Sequence, residues 1–504
     1  MHNAVQKIGQ QDIMPVDLIE FSSEGKVLII GSDERVEEIL PHLTDLHVTT
    51  SVNAPTTISG WLGEFKAEID GKAIAFDLVL DLQEEPSMGM DVLPLGYFAP
   101  RDDEQALAEI LEQLPELIGK FDKPRYFNYK ESICAHSRRQ QPGCNQCIDA
   151  CPAEAISSAG DLISINPSLC QGCGSCTTVC PSGAVTYALP TLDVSVNRLR
   201  TMMQAYFELD QQAPHIVIHD LESGQELMDV MEEQLADSVI AFSIEEIGAL
   251  GMPFWLSALC YGASKVTVWN TGSHTDHTWN EVQQEIVKTN EMLAGIGYAG
   301  DKVNWCESTD TNDLVAIFSE ANQVAVTKAA VFAGIDDKRR MIRIAMEYLY
   351  QQAPAPVEVL ALSGNAAFGE IQIDTKGCTL CHSCVSVCPA GAVLDGGDQP
   401  QLNFIEDRCL QCGLCETACP ENVISLVPQY LFDQEQARKV RLLHEEPIFN
   451  CVSCNKGFAT KKMIDTMTDK LKDHSMFQGA ALERLKMCED CRVKAMFKEK
   501  GSLL

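Results

Sequence analysis

The sequence predicts a multidomain α/β protein. Two cysteine-rich modules flank a parallel-sheet domain, a small α/β domain precedes them and a four-cysteine metal domain follows. Three observations carry this. The chain has 504 residues and is 45% hydrophobic, long enough for several domains and apolar enough to bury their cores. Twenty of its 22 cysteines fall into three clusters. Between the first two clusters, strand-like and helical patterns alternate, as in a sheet of parallel strands joined by crossover helices. The expected divisions are 1–125, 126–189, 190–357, 358–430 and 431–504.

The first region, 26–121, opens on the strand-like KVLII (26–30) and continues into an amphipathic helix from Asp33. Asp70-Gly71, within EIDGK, is a two-residue hairpin signal. A second helix is expected over 103–119. Gly31-Ser32 could open a phosphate-binding helix N-terminus, but no further glycines follow, so an ordinary tight turn is expected.

The first cysteine cluster reads Cys134, Cys144, Cys147, Cys151-Pro152, then Cys170, Cys173, Cys176, Cys180-Pro181. The second repeats it as Cys378, Cys381, Cys384, Cys388-Pro389, then Cys409, Cys412, Cys415, Cys419-Pro420. In a C-x2-C-x2-C-x3-C-P run, three cysteines on one tight loop can reach three corners of a [4Fe–4S] cube. The fourth points away to a neighbouring cluster. Small residues between the ligands (Gly172, Gly174, Ser175, Gly413) let the backbone close on a cluster and donate N–H groups to its sulfurs. Short strand-like inserts, LISIN (162–166) and QLNFIED (401–407), separate the paired runs.

The first run departs from the pattern. Nine residues, AHSRRQQPG, separate Cys134 from Cys144. Either Cys134 ligates from a longer loop, or the cluster lacks one protein ligand or takes His136. Cys378, Cys381 and His382 also fit a haem-attachment signature, but the same cysteines are embedded in the longer run.

Residues 190–352 carry apparent strands at 215–219, 238–244, 265–269 and 302–305. Ile247 to Ser264 holds 18 residues without a formal charge, the threshold length for a membrane span. Its glycines, Pro253 and flanking strands argue for a buried helix instead. Gly295, Gly297 and Gly300 match GxGxxG, with Glu320 twenty residues on. They follow a helix and precede a strand, the reverse of a dinucleotide loop, so a helix C-cap is expected. Residues 336–351 form a helix opened by a capping Asp, and 357–362 a strand. Cys260 and Cys306 stand alone as small buried hydrophobes.

The tail holds Cys451, Cys454, Cys488 and Cys491, two CxxC knuckles 33 residues apart. Four thiolates on two knuckles suit a tetrahedral metal, zinc first, then iron, with unmetallated thiols as the third reading. Met463, Ile464, Met467 and Leu471 give an apolar helical stripe between them.

The charge is strongly acidic, 38 basic against 72 acidic residues, net −34. This argues against a nucleic-acid binder and against docking on anionic lipid. The excess sits on 1–130 (−14) and 191–360 (−15), whereas 421–504 is +2. A basic partner surface would therefore meet the metal-free regions. The N-terminus shows no basic-then-apolar leader and the Arg-Arg pairs lie mid-chain, so a cytoplasmic location is expected, where thiols stay reduced and bind metal. No hydrolase, zincin or P-loop motif is present, so catalysis by the chain itself is not expected.

Residues 134–189 and 370–428 resemble two copies of the bacterial two-cluster ferredoxin. That resemblance implies a ligand swap: Cys134, Cys144, Cys147 and Cys180 against Cys170, Cys173, Cys176 and Cys151. In the later copy, Cys378, Cys381, Cys384 and Cys419 pair against Cys409, Cys412, Cys415 and Cys388. The 190–352 region faintly resembles the small α/β electron-transfer subunits of methyl-viologen-type hydrogenase complexes, without the cysteines of their [2Fe–2S] site. The stretches CPAGAV (388–393), CLQCGLCETACPENVISL (409–426), FNCVSCNKGFATKKMI (449–464) and KMCEDCRV (486–493) resemble the large 4Fe–4S ferredoxin-type proteins that accompany cytoplasmic formate dehydrogenases in proteobacteria. The resemblance implies four [4Fe–4S] clusters relaying electrons between a redox enzyme, formate dehydrogenase among the candidates, and an acceptor. The alternative is a subunit, or an accessory or maturation factor, of a metalloenzyme redox complex.

Overall fold

The computed structural model describes residues 16–209, 212–320, 325–397 and 399–501. Of the N-terminal stretch 1–20, where no leader is expected, residues 1–15 lie outside them. The chain forms two compact units: 1–131 with 145–159 and 163–356, and 132–144 with 160–162 and 357–504.

In the first unit, Lys26–Ile30 and Leu78–Asp81 form the centre of a four-stranded parallel sheet, flanked by His47–Ser51 and Tyr97–Phe98. The central strands are nearly all apolar because both of their faces are covered. A separate antiparallel sheet joins Ile58–Ser59, Phe65–Ile69 and Lys72–Phe76. Its tight turn is Asp70-Gly71, both residues left-handed at φ 51° and 73°. After Gly31-Ser32 the helix Asp33–Ile39 has only seven residues, with Asp33 and Glu34 in its first turn, which disfavours an anion there.

The same unit holds a second parallel sheet, in the order Val239–Ile244, His215–Asp220, Lys265–Trp269, Val303–Cys306. The charge-free stretch at 247–264 becomes a short 3-10 turn and the helix Met252–Cys260, every residue of which is buried in protein. Among the described residues no helix is long and apolar enough to cross a membrane. The helix Asp276–Gly295 ends at the GxGxxG match, with Gly297 left-handed at φ 91° and the next strand starting at Val303. The glycines therefore terminate a helix. Asp337 caps the helix Lys338–Gln351, its carboxylate accepting the Arg340 N–H at 3.0 Å.

In the second unit, Ile424–Leu431 pairs antiparallel with both Val359–Ala361 and Gly369–Ile373. Gln399–Phe404 pairs with Val393–Gly396 and Arg441–Glu445. The core between them contains Ile371, Leu380, Leu402, Phe404 and Ile424 together with five cysteines: Cys378, Cys384, Cys409, Cys415 and Cys419. The tail is a hairpin, Ile448–Asn450 with Gly457–Thr460, then the helices Lys461–Leu471 and Glu489–Gly501. The expected apolar stripe on Lys461–Leu471 is only partly used. Ile464 is buried, whereas Met467 is 37% exposed.

Candidate metal centres

Three of the four cysteine runs share one backbone device. The residue before the second cysteine and the residue after it are both left-handed: Gly172 and Gly174, Leu380 and His382, Gln411 and Gly413, at φ between 53° and 84°. Two reversals within five residues curl the loop until its three sulfurs converge. Glycine was the visible signal for this geometry. Leu380, His382 and Gln411 adopt it without glycine, at a cost of about 1–2 kcal/mol each, so the loop shape is imposed by its surroundings.

In the second unit the runs close two cavities. One is lined by Cys378, Cys381, Cys384 and Cys419, with Leu402 and Ile424 among its walls. The other is lined by Cys409, Cys412, Cys415 and Cys388, with Ile371 and Leu426. Each cavity thus takes three cysteines from one run and the last from the other. Burial pushes up the thiols of Cys378, Cys384, Cys412 and Cys415, Cys384 to about 12 and Cys412 to about 11, and neighbouring sulfurs add to the shift. Four converging thiols in an apolar wall become thiolates together only when cationic iron or another metal compensates them. The chemistry of the donor set therefore fits a cluster. The Ala392 N–H donates to Cys388 Sγ at 3.2 Å and Gln411 Nε2 to Cys409 Sγ at 3.4 Å, the kind of contact that tunes a cluster's potential.

In the first unit, Cys151, Cys170, Cys173 and Cys176 influence one another electrostatically. Burial pushes Cys170 up to about 11. The Ala155 N–H donates to Cys151 Sγ at 3.3 Å, matching the Ala392 contact four residues after the last cysteine of its run. Three supports for this loop carried no sequence signal. Lys123 Nζ donates to the Ser168 and Cys170 carbonyls, both at 2.8 Å. Lys338 Nζ donates to the Thr177 carbonyl at 3.0 Å and to that of Thr178. The turn at Gly248–Ala249 presses on Cys173-Gly174, with Thr178 Oγ1 donating to the Gly248 carbonyl at 2.6 Å. A methyl group at Gly174 would lie 2.6 Å from Ala249 Cα. Gly174→Ala is expected to destabilise this unit by at least about 1–2 kcal/mol, from the left-handed backbone alone, with lower iron retention. Urea denaturation and iron analysis check this. Cys147 and Cys180 lie in this unit too, both buried.

Cys134 and Cys144 belong to the second unit. The nine-residue insertion between them is a hairpin, Ser137–Arg138 against Gln141–Pro142, turned by left-handed Arg139 and Gln140. The Cys144 N–H donates to the Ala135 carbonyl at 2.9 Å, so the insertion returns Cys144 to the side of Cys134. His136 Nδ1 lies 3.1 Å from the Cys144 carbonyl, committing that nitrogen to the backbone.

In the tail, the sulfurs of Cys451, Cys454, Cys488 and Cys491 all lie within 4.8 Å of one another. The Ser453 and Cys488 N–H groups donate to Cys451 Sγ at 3.4 and 3.2 Å. Burial raises this thiol, but those donors and Cys454 outweigh it and bring it down to about 6, in the thiolate range. The donor set fits a four-thiolate metal site. Cys260 and Cys306 are buried away from these groups, and Cys260 Sγ donates to the Ala345 carbonyl at 3.3 Å.

Comparison with known proteins agrees with the geometry. Residues 377–424 and 142–184 each match a family described as 4Fe-4S dicluster domain. An uncharacterized ferredoxin-like protein of Escherichia coli K12, YdhY, is 32% identical over 60 residues, 12% of this chain and 29% of that protein. Ferredoxin 7Fe of Hydrogenibacillus schlegelii is 43% identical over 42 residues, 8% of this chain and 51% of that one. The chain thus spans about a third and about half of the lengths of these relatives. A solved chain from the formate dehydrogenase–heterodisulfide reductase–formylmethanofuran dehydrogenase complex of Methanospirillum hungatei aligns at 18% identity, covering 65% of this chain and 88% of that one. Its TM-score of 0.18 does not show a shared fold. The chain thus carries two 4Fe-4S dicluster domains of the kind found in ferredoxins, beside a separate four-cysteine site.

Proposed function

We propose that the chain is a multi-cluster electron carrier or wiring subunit that passes single electrons between a redox enzyme and an acceptor. The observation that carries this reading is the pair of cavities in the second unit, each closed by three cysteines of one run and one of the other. In this reading the protein holds four [4Fe–4S] clusters. Their ligands are Cys134, Cys144, Cys147 and Cys180; Cys170, Cys173, Cys176 and Cys151; Cys378, Cys381, Cys384 and Cys419; Cys409, Cys412, Cys415 and Cys388. The ligand role of Cys134 is supported by the hairpin that holds it beside Cys144. The tail cysteines hold zinc. Iron supplies the redox chemistry, and the chain sets the order, potential and docking of the sites. The acidic, metal-free regions 1–125 and 190–357 are docking surfaces, and a formate dehydrogenase in the cytoplasm is the partner implied by the tail and the 409–426 stretch.

Anaerobic purification tests the reading. It requires about sixteen irons per chain with matching sulfide, a broad visible absorption that bleaches with dithionite, and one zinc that survives the bleaching. Iron near zero after reconstitution ends it. A pull-down of the loaded protein that captures a redox enzyme other than a formate dehydrogenase keeps the carrier and removes the partner.

A further inference from the structure

We infer that the hairpin inserted between Cys134 and Cys144 is an electron bridge to the site of Cys409, Cys412, Cys415 and Cys388. This rests on the cluster reading above. The hairpin and that site belong to the same compact unit. The hairpin sits on the short helix Leu414–Thr417, where Thr417 Oγ1 lies 3.5 Å from the Pro142 carbonyl oxygen while its nearer acceptors are the Leu414 and Gly413 carbonyls of its own helix. The contact closes at Gly143, where an added methyl would lie 2.8 Å from Leu414 Cγ and 2.5 Å from the Ala135 carbonyl oxygen. No side chain other than hydrogen fits there. Leu414 is fully buried, so it cannot yield outward.

The flanking residues give the contact its meaning. Cys144 follows Gly143 and Cys415 follows Leu414, each one residue step of about 3.8 Å away. A cluster that takes Cys134 and Cys144 therefore has the Cys415 site as a neighbour across one glycine–leucine contact. Two of the insertion's backbone bonds, Gly143 N–H to the His136 carbonyl and Cys144 N–H to that of Ala135, both at 2.9 Å, hold this edge rigid. A two-residue spacer, as in the other three runs, would supply no such arm. With clusters bound on both sides, the contact would let one electron pass, lost by one cluster and gained by the other, with no bond or proton moved.

The full-length chain, loaded anaerobically with iron and sulfide and reduced with dithionite, is read by electron paramagnetic resonance. Gly143→Val wedges the contact from the hairpin side. Thr417→Arg wedges it from the helix side and leaves Gly143 and Leu414 in place. Both are expected to keep their iron and sulfide but to lose part of the spin–spin broadening and fast relaxation of the wild type. Cys412→Ser, which removes the neighbour, should lose that part together with the coupling between this site and the Cys378 site. An unchanged spectrum in iron-replete variants overturns the bridge. Iron loss from both variants also overturns it, because the hairpin would then only prop a cluster. A wild type that takes up no iron fails the cluster reading instead.

Discussion

Replacing Cys388 with alanine is expected to remove one cluster, about four irons and four sulfides per chain, from the cavity of a different run. Cys388 ends the run that starts at Cys378, yet its side chain lines the cavity of Cys409, Cys412 and Cys415. The cavity of Cys378, Cys381 and Cys384 is completed by Cys419. Alkylation of the native variant followed by peptide mass spectrometry separates the possibilities. Cys409, Cys412 and Cys415 should become reactive, while Cys378, Cys381, Cys384 and Cys419 stay protected, including the surface-exposed Cys381. Labelling of Cys378, Cys381 and Cys384 instead would mean that each run binds its own cluster, and the swapped assignment would fall. Cys419→Ala should give the mirror pattern.

The cysteine architecture was legible because ligand spacing is a local property. Two or three residues between sulfurs can be read without knowing what packs around them. The Asp70-Gly71 turn, the four strands of the second parallel sheet and the misleading glycines at 295–300 were legible for the same reason. What was hidden depends on long-range partners. Nothing in AHSRRQQPG announces a hairpin, since Arg139 and Gln140 are poor candidates for left-handed turn positions. Asp161 stabilises it by accepting the N–H groups of Arg139 and Gln140, at 3.1 and 3.3 Å, from 22 and 21 positions away. No motif marks Lys123 or Lys338, and only the fold brings them to cysteine-loop carbonyls. Leu380, His382 and Gln411 occupy backbone positions that sequence would give to glycine. Met463, Met467 and Leu471 have helical spacing, but period alone does not say that a neighbour will cover them.

A buried histidine and a half-buried glutamate beside the second parallel sheet should give the protein opposing pH dependences that nearly cancel in the wild type. His215 is 2% exposed, with Nδ1 2.9 Å from the Phe318 carbonyl and Nε2 2.7 Å from Thr267 Oγ1. The neutral ring satisfies both contacts by donating from Nδ1 and accepting at Nε2. Burial holds it down to about 4, with Lys265 pushing the same way and Glu320 opposing. The unfolded chain takes up this proton near 6.5, so the stability that His215 contributes is complete above that pH and is lost as pH falls through about 4. Glu246 behaves oppositely. Burial, then the carboxylates of Glu245, Asp220 and Glu222, push it up to about 7, while His274, itself held neutral by burial, lies 3.6 Å away. Its contribution is complete below about 4.5 and is lost as pH rises through about 7. Each shift corresponds to roughly 3 kcal/mol. Between 4.5 and 6.5 the two slopes oppose each other. Glu246→Gln should unmask His215: stability should climb with pH up to about 6.5 and exceed the wild type at pH 8 by up to roughly 3 kcal/mol. His215→Gln should unmask Glu246, with stability falling from pH 4.5 to 7 whatever its absolute offset. Trp255, Trp269, Trp279 and Trp305, four of the five tryptophans, lie in this region, so urea denaturation followed by tryptophan fluorescence reports on it. A Glu246→Gln profile parallel to that of the wild type would show that Glu246 ionises freely in the folded chain, and that the turn it occupies, next to Gly248 and the Cys173 loop, is wetter than its packing implies.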